Sequence, residues 1–386
     1  MVMTPHILGT LNLAAVAAMA PVIKQELDLS LAEVGLFASA YTLCQAVTGM
    51  PAGLAVDRIG IGWSLFIGFL FLSGGALVFS QADGLLFCLV GAGIMGVGYT
   101  CVNPATAKAV LEWFPRNRRG TAMGVKQTGV PVGWTIGAFA LPLAGLIHWQ
   151  SVLLVLAGVG FVSGLFYLPM ARRPKRSTGQ ARPKPHMQIA AVLRNRDLNA
   201  IEMSTFVYHA AQQSLYSFTT LFFREALQAS VWQASFALQL VQGGSMIARL
   251  AIGAITDFWL GGRRKPAAVI VCFVSALLCG AVVLLSPGPV GVHTGLVVFF
   301  LLGLTMCSAS PIHQVMVVET VEPRLAGTAM GYHSTVLPAG KAVGPPLFGL
   351  LADQFSYDSA WLVSGAMVLL AGMILFRFFR ERPVAP

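Results

Sequence analysis

Residues 120–133 read GTAMGVKQTGVPVG, and residues 327–340 read GTAMGYHSTVLPAG. The two stretches lie 207 residues apart (327 − 120), and the same offset matches Pro104 with Pro311 and Glu112 with Glu319. Nearby, GLAVD at 53–57 echoes GAITD at 253–257. A chain that repeats its landmarks halfway along its length is built as two copies of one design.

Composition says what surrounds that design. The 386 residues are 56% hydrophobic and only 10% charged, with a mean hydropathy of +0.74. A soluble domain carries about 25% charged residues, so too few are present to clothe a water-facing surface. Apolar stretches of about 20 residues, the length a helix needs to cross a bilayer, recur from end to end. They lie near 4–23, 31–55, 62–81, 84–110, 120–146, 149–170, 198–222, 229–255, 266–286, 291–318, 327–351 and 359–379. Unpaired backbone groups are costly in lipid, and the stretches lack the alternation of barrel strands, so helices are predicted. The chain therefore reads as an all-α polytopic membrane protein, with twelve transmembrane helices in two pseudo-symmetric six-helix bundles. The bundles are residues 1–170 and 198–386, the second ending in a short tail. Between them the linker at 171–197 contains ARRPKRSTGQARPKPH, which can neither span lipid nor pack a core.

Basic residues set the orientation. With the N terminus inside, Arg116, Arg118 and Arg119, the linker, and Arg263, Arg264 and Lys265 are all cytoplasmic, whereas the outer loops hold little beyond Lys24 and Arg224. Both termini are expected in the cytoplasm of a cell whose plasma membrane, a bacterial inner membrane, holds the chain. The net charge of +10 is explained without nucleic acid. Ala18-Met19-Ala20 resembles a signal-peptidase site, but no basic region precedes the apolar run, and cleavage is not expected. The six cysteines fall within spans, without metal-ligand spacing, and read as packing residues. No nucleotide loop or nucleophile elbow is present, so neither an enzyme nor a cofactor or metal site is expected. A monomer in the lipid bilayer is expected.

Parallel halves related by an axis along the membrane normal place a substrate near the midplane between them. Gly53-x3-Asp57-Arg58-x-Gly60 follows the second span, and Gly253-x3-Asp257 with Gly262-Arg263-Arg264-Lys265 is its second copy. Together with twelve spans and the long middle loop, these motifs resemble the major facilitator superfamily over essentially the whole chain. The first copy departs from the family in having Ile61, Gly62 and Trp63 where basic residues usually follow Gly60. Within that superfamily, residues 20–60 are similar to the opening of the anion:cation symporter group.

The resemblance implies that Asp57 contacts the start of span eleven; by symmetry Asp257 would contact the start of span five. Both target helices begin with small residues, from Gly120 and Gly327, whose N–H groups can meet a carboxylate. A gate latch is expected there, with an ordinary capped loop as the alternative, and Arg58 with Glu112 as a companion pair.

Charges deeper in the bilayer cost about 2.5–3.5 kcal/mol on insertion scales and usually line a cavity. Arg249 lies eight residues before Asp257, roughly 12 Å deeper at 1.5 Å per residue. Arg249-x3-Gly253-x3-Asp257 resembles the eighth span of several carboxylate-transporting relatives in which the arginine binds the anion. A guanidinium suits a carboxylate by donating two parallel hydrogen bonds. The alternatives are a salt bridge and a carbonyl clamp. Lys341, well inside span eleven, would complete a two-point anion site or serve as a structural partner. Lys126 and His333 occupy equivalent places in the two halves and are candidate substrate-binding residues, Lys126 as a third cation, with Gln127 beside it a weaker candidate of the same kind. Lys108 is read as snorkelling or pairing with Glu112.

For proton coupling the expected groups are His209, His313, His333 and Glu202. Glu202, close to the start of its span, reads first as a solvated terminus. His209, Gln212, Gln213 and Tyr216 share one helical face, expected to line the cavity, with interhelical hydrogen bonding as the alternative. Asn12 and Gln45 are similar in kind.

The expected function is secondary transport of a small organic anion, a carboxylate, by alternating access with a proton or another cation. The rivals are efflux of drugs or metabolites on the same fold, and a receptor or scaffold that binds without moving its ligand.

Overall fold

A computed structural model describes residues 3–113, 119–170, 190–254, 263–307, 309–322 and 325–381. Where the chain starts defines one face of the molecule, the N-face. α1 (Thr4–Glu26) leaves it, α2 (Leu31–Ile59) returns, and α3 (Ile61–Ser80) leaves again. Ser30 starts α2 with a reciprocal capping box to Glu33, satisfying two backbone donors. Gly60, at φ 86°, joins α2 directly to α3; only a residue without a Cβ takes that conformation at no cost.

Span four is α4 (Leu85–Thr100) followed by α5 (Val102–Trp113). Span five is α6 (Arg119–Gly137) with α7 (Ala140–Ala144), and span six is α8 (Trp149–Leu165). The second set is α9 (Arg196–Glu225), α10 (Val231–Ala254), α11 (Lys265–Val282), α12 (Pro289–Met306), α13 (Ala309–Thr320), α14 (Ala326–Gln354) and α15 (Tyr357–Phe378). Helices α12 and α13 together form span ten. The equivalent prolines Pro104 and Pro311 sit just past the breaks that divide spans four and ten. A proline lacks the N–H for the helical ladder, so the duplicated residue produces a duplicated break.

Packing repeats as well. In the first set α1 packs on α6, α2 on α4, and α3 on α4 and α8; in the second, α9 packs on α14, α10 on α12, and α11 on α12 and α15. The sets meet where α2 lies along α14 and, by the equivalent contact, where α6 lies along α10, with α1 against α9 between. Backbones approach closely at the first of these seams. A Cβ on Gly35 would stand 2.5 Å from the Pro345 carbonyl oxygen, and one on Gly349 would collide with the Leu31 backbone.

Among the described residues, six stretches are long and apolar enough to cross a membrane by length and composition: Thr4–Glu26, Ile61–Ser80, Leu85–Val110, Lys265–Val282, Pro289–Thr320 and Tyr357–Phe378. Long helices outside that set, α2, α9, α10 and α14, carry the interior's polar side chains, among them Gln45, His209, Arg249 and Lys341. Outward-facing Leu70, Val155, Ile270, Leu284 and Phe376 are exposed, an apolar belt far beyond what water tolerates. This is a multi-pass membrane protein.

Candidate functional site

Among the described residues, hydrogen bonds joining the two sets of helices lie in the half of the molecule away from the N-face. Thr220 donates to the Ala17 carbonyl at 3.1 Å, Ser39 to the Ala342 carbonyl at 2.5 Å, and Ser235 to the Ala138 carbonyl at 2.7 Å. Farther out, Lys24 pairs with Glu225 at 3.0 Å, and Asp353 accepts from the backbone N–H groups of Leu31 and Ala32 at 3.0 and 2.8 Å. Trp134 and Tyr216 bring their rings to 4.8 Å across the same seam.

Beneath this seal lie the two deep cations of the second set. Lys341 stands 15 residues into α14, about 22 Å from the helix start at 1.5 Å per residue. Arg249 on α10 is half-buried, and its Nε donates to Ser245 Oγ at 3.2 Å, one turn earlier. The two cations are close enough to act on each other electrostatically, and Arg249 also acts on Tyr99, across the seam on α4, and on Tyr216. Arg249 has no carboxylate partner among the described residues, and Lys341 has neither a hydrogen bond nor an ion pair there. Two like charges in a low-dielectric interior without a counter-charge are costly, and an anion between them removes that cost.

Much of the polar face of α9 is engaged by α12 and α13. Tyr208 donates to the Thr305 carbonyl at 3.2 Å, Gln212 to the Met306 carbonyl at 2.7 Å, and Tyr216 to Cys307 Sγ at 3.0 Å. His209 bonds to Ser310 Oγ and to the Thr205 carbonyl, both at 2.8 Å. The cavity-lining stripe is thus largely an interhelical seam against α12 and α13, because the break between them turns the Thr305 and Met306 carbonyls toward the neighbour. Gln213 Nε2, Ser217 Oγ, Gln242 Nε2 and Asn12 Oδ1 are buried polar atoms without a protein partner.

Glu202 also departs from the sequence reading. It is buried, not a solvated terminus, and accepts from His333 Nδ1 at 3.1 Å. Its equivalent in the other half is a different arrangement: buried Lys126 reaches Asn103 Oδ1 at 2.8 Å, and Gln127 is half-buried beside it. His313 is fully buried, with its ring 5.8 Å from that of His209. Lys108 donates to the Val56 carbonyl at 3.1 Å, tying α5 to the end of α2.

His6 was missed from the sequence. It is buried, bonded to Thr106 at 3.0 Å and Tyr99 at 3.3 Å, and electrostatically coupled to Lys126. A histidine two residues into the first span looks like a helix end until α5 and α6 cover it. Of the gating residues, Gly53 is half-buried; the side-chain positions of Asp57, Arg58, Glu112, Gly120, Gly253 and Gly327, and Asp257 and the linker at 171–189 altogether, lie outside the described residues.

A sequence model of the Major Facilitator Superfamily matches residues 6–293 and 203–386. The hexuronate transporter of Bacillus subtilis is 22% identical over 394 residues, covering 97% of this chain and 92% of its own. An uncharacterized MFS-type transporter of Mycobacterium tuberculosis is 26% identical over 363 residues, covering 92% and 79%. Among solved structures, a bacterial homolog of the human lysosomal transporter Spinster, inward-facing and occupied, superimposes with a TM-score of 0.80 at 16% identity, covering 99% and 97%.

Proposed function

The chain belongs to the Major Facilitator Superfamily, a family of membrane transporters and not of enzymes, and from that premise we propose that it imports a small organic anion, a carboxylate of the sugar-acid class. One observation carries the reading: Arg249 and Lys341 face each other electrostatically in mid-membrane with no carboxylate partner among the described residues. Arg249 supplies the forked donor for the carboxylate, held by Ser245, while Lys341 adds a point charge. The unpartnered amide and hydroxyl atoms of Asn12, Gln213, Ser217 and Gln242 suit a polyhydroxylated body, because a buried polar atom gains most where it was previously unpaired. The name of the Bacillus relative, a hexuronate transporter, agrees with that chemistry.

Access alternates about the two seams. The hydrogen bonds from Ser39 to Lys24 support a seal on the face opposite the N-face, with Asp57 and Asp257 latching the N-face in the other state. The bias of basic residues supports a cytoplasmic N-face, in a bacterial inner membrane. Moving an anion against the membrane potential costs about 2.3 kcal/mol per charge per 100 mV, so a co-transported proton or cation accompanies it.

Uptake of labelled D-glucuronate into proteoliposomes, with an alkaline interior, tests this. Arg249→Ala should abolish it; undiminished uptake in that variant would sink the assignment of the site.

A further inference from the structure

Among the buried titratable groups that the sugar-acid site leaves unused, four in the second set of helices lie together. Glu202 and His209 stand on α9, seven residues and about 10 Å of helix axis apart, with Glu202 nearer the N-face. His333 Nδ1 donates to Glu202 Oε1 at 3.1 Å and reaches Oε2 at 3.3 Å. His333 acts electrostatically on both His313 and His209, and the rings of the last two lie 5.8 Å apart. Lys341, one of the two anion-binding cations, in turn acts on His209.

Their hydrogen bonding is incomplete in a specific way. Neither ring nitrogen of His313 has a protein partner, nor has His333 Nε2, although His313 is 0% and His333 2% exposed. A buried polar atom without a partner costs about 1–3 kcal/mol, and a phenylalanine would fill the same space without that cost. A metal does not explain the group: among the described residues no three His, Cys, Asp or Glu side chains are placed to hold one.

We propose that His209, His313, His333 and Glu202 form a proton relay inside the second set of helices, leading from the Lys341 end of the anion site toward the N-face. An imidazolium at His209 passes its proton to His313 and becomes neutral; His313 passes it to His333, and His333 to the Glu202 carboxylate, which releases it. His209 is then reprotonated from the anion site, so each group ends as it began and one proton has moved. The 5.8 Å ring spacing between His209 and His313 takes one bridging water, which His313 binds through a nitrogen that protein leaves free, while His209 gives up its proton through the Ser310 hydroxyl bonded to its Nε2.

The groups facing the relay come from every neighbouring helix. α14 brings His333, Tyr332 beside Glu202, and Lys341; α13 brings His313 and Ser310; α10 brings Arg249, acting on Lys341. α11 brings Cys272 and Ser275 to Tyr208, whose ring lies 5.6 Å from those of both His209 and His313. α15 contributes the Ala371 carbonyl to Ser204. Glu202 is the one carboxylate among the groups acting on these histidines in the described residues, and it stands at the N-face end of the series.

This inference rests on the proposed anion transport coupled to protons, and two transport modes separate the two. The full chain in proteoliposomes is assayed with labelled D-glucuronate for net uptake driven by a pH gradient, and for exchange against internal unlabelled D-glucuronate at equal pH. Glu202→Gln, which keeps an acceptor for His333, and His313→Phe, which removes no protein hydrogen bond, should each lose gradient-driven uptake and keep exchange at the wild-type rate. Equal loss in both modes shows a structural pair and overturns the relay, as does uptake unchanged in both variants. Wild-type net uptake indifferent to the pH gradient, with exchange intact, overturns the relay alone. No D-glucuronate movement in either mode overturns the anion reading and the relay with it.

Discussion

Asp353, in the last turn of α14, accepts hydrogen bonds from the backbone N–H groups of Leu31 and Ala32 at the start of α2. A carboxylate from one set of helices thereby caps a helix of the other, satisfying two donors that the helix cannot satisfy itself and favouring its dipole. The bond forms only while the two sets are together on this face.

Removing it should therefore bias the transporter toward opening there. Asp353→Ala gives up an N-terminal cap worth about 1 kcal/mol, a shift of about fivefold between conformations. Paired spin labels at Asp28 and Gln354 should report a longer-distance population that grows in the variant; an unchanged distribution would refute the latch.

Arg249 and Lys341 should fail differently. A hydrogen bond to a charged group is worth about 1.5–3 kcal/mol, so Lys341→Ala should raise the KM for D-glucuronate roughly tenfold or more. Arg249→Lys keeps the charge but loses the planar fork, and should be impaired nearly as much as Arg249→Ala. A fully active lysine variant would mean that charge alone matters at this position.

Ser245 holds Arg249 through its Nε at 3.2 Å. Ser245→Ala should leave the protein folded and raise KM by several-fold, in line with the loss of about 1 kcal/mol of orientation. Measured transport kinetics identical to wild type would show that the guanidinium is positioned by other contacts.

The α2–α14 seam depends on Gly349, where any side chain meets the Leu31 backbone. Gly349→Val should lower thermal stability in detergent by about 1–3 kcal/mol through forced separation of the helices. Gly331, on the same helix, has open space where a Cβ would stand, and Gly331→Ala should be neutral or slightly stabilising. Equal melting temperatures for both variants would contradict the close approach.

The helices and their duplication were legible in the chain itself. Length and hydropathy mark the spans, and Pro104 and Pro311 mark the repeat; that spans four and ten break beside them appears only in the structure. The deep cations were legible too, since a charge in an apolar span stands out by composition alone. Helical periodicity also told correctly that His209, Gln212 and Tyr216 share a face.

What that face meets was decided by tertiary structure. Periodicity sets which residues point together, but the rotation of each helix in the bundle decides whether they find substrate, lipid or another helix. Thus the α9 stripe bonds to the broken end of α12, and Glu202, whose place near a helix start suggested water, is enclosed with His333 from a helix 131 residues away in sequence. The mismatch between the two GTAMG copies, Lys126 against His333, becomes a difference in partners, Asn103 in one half and Glu202 in the other. Sequence supplied the ionisable groups; only packing decided which were left without a counter-charge and which were joined in pairs.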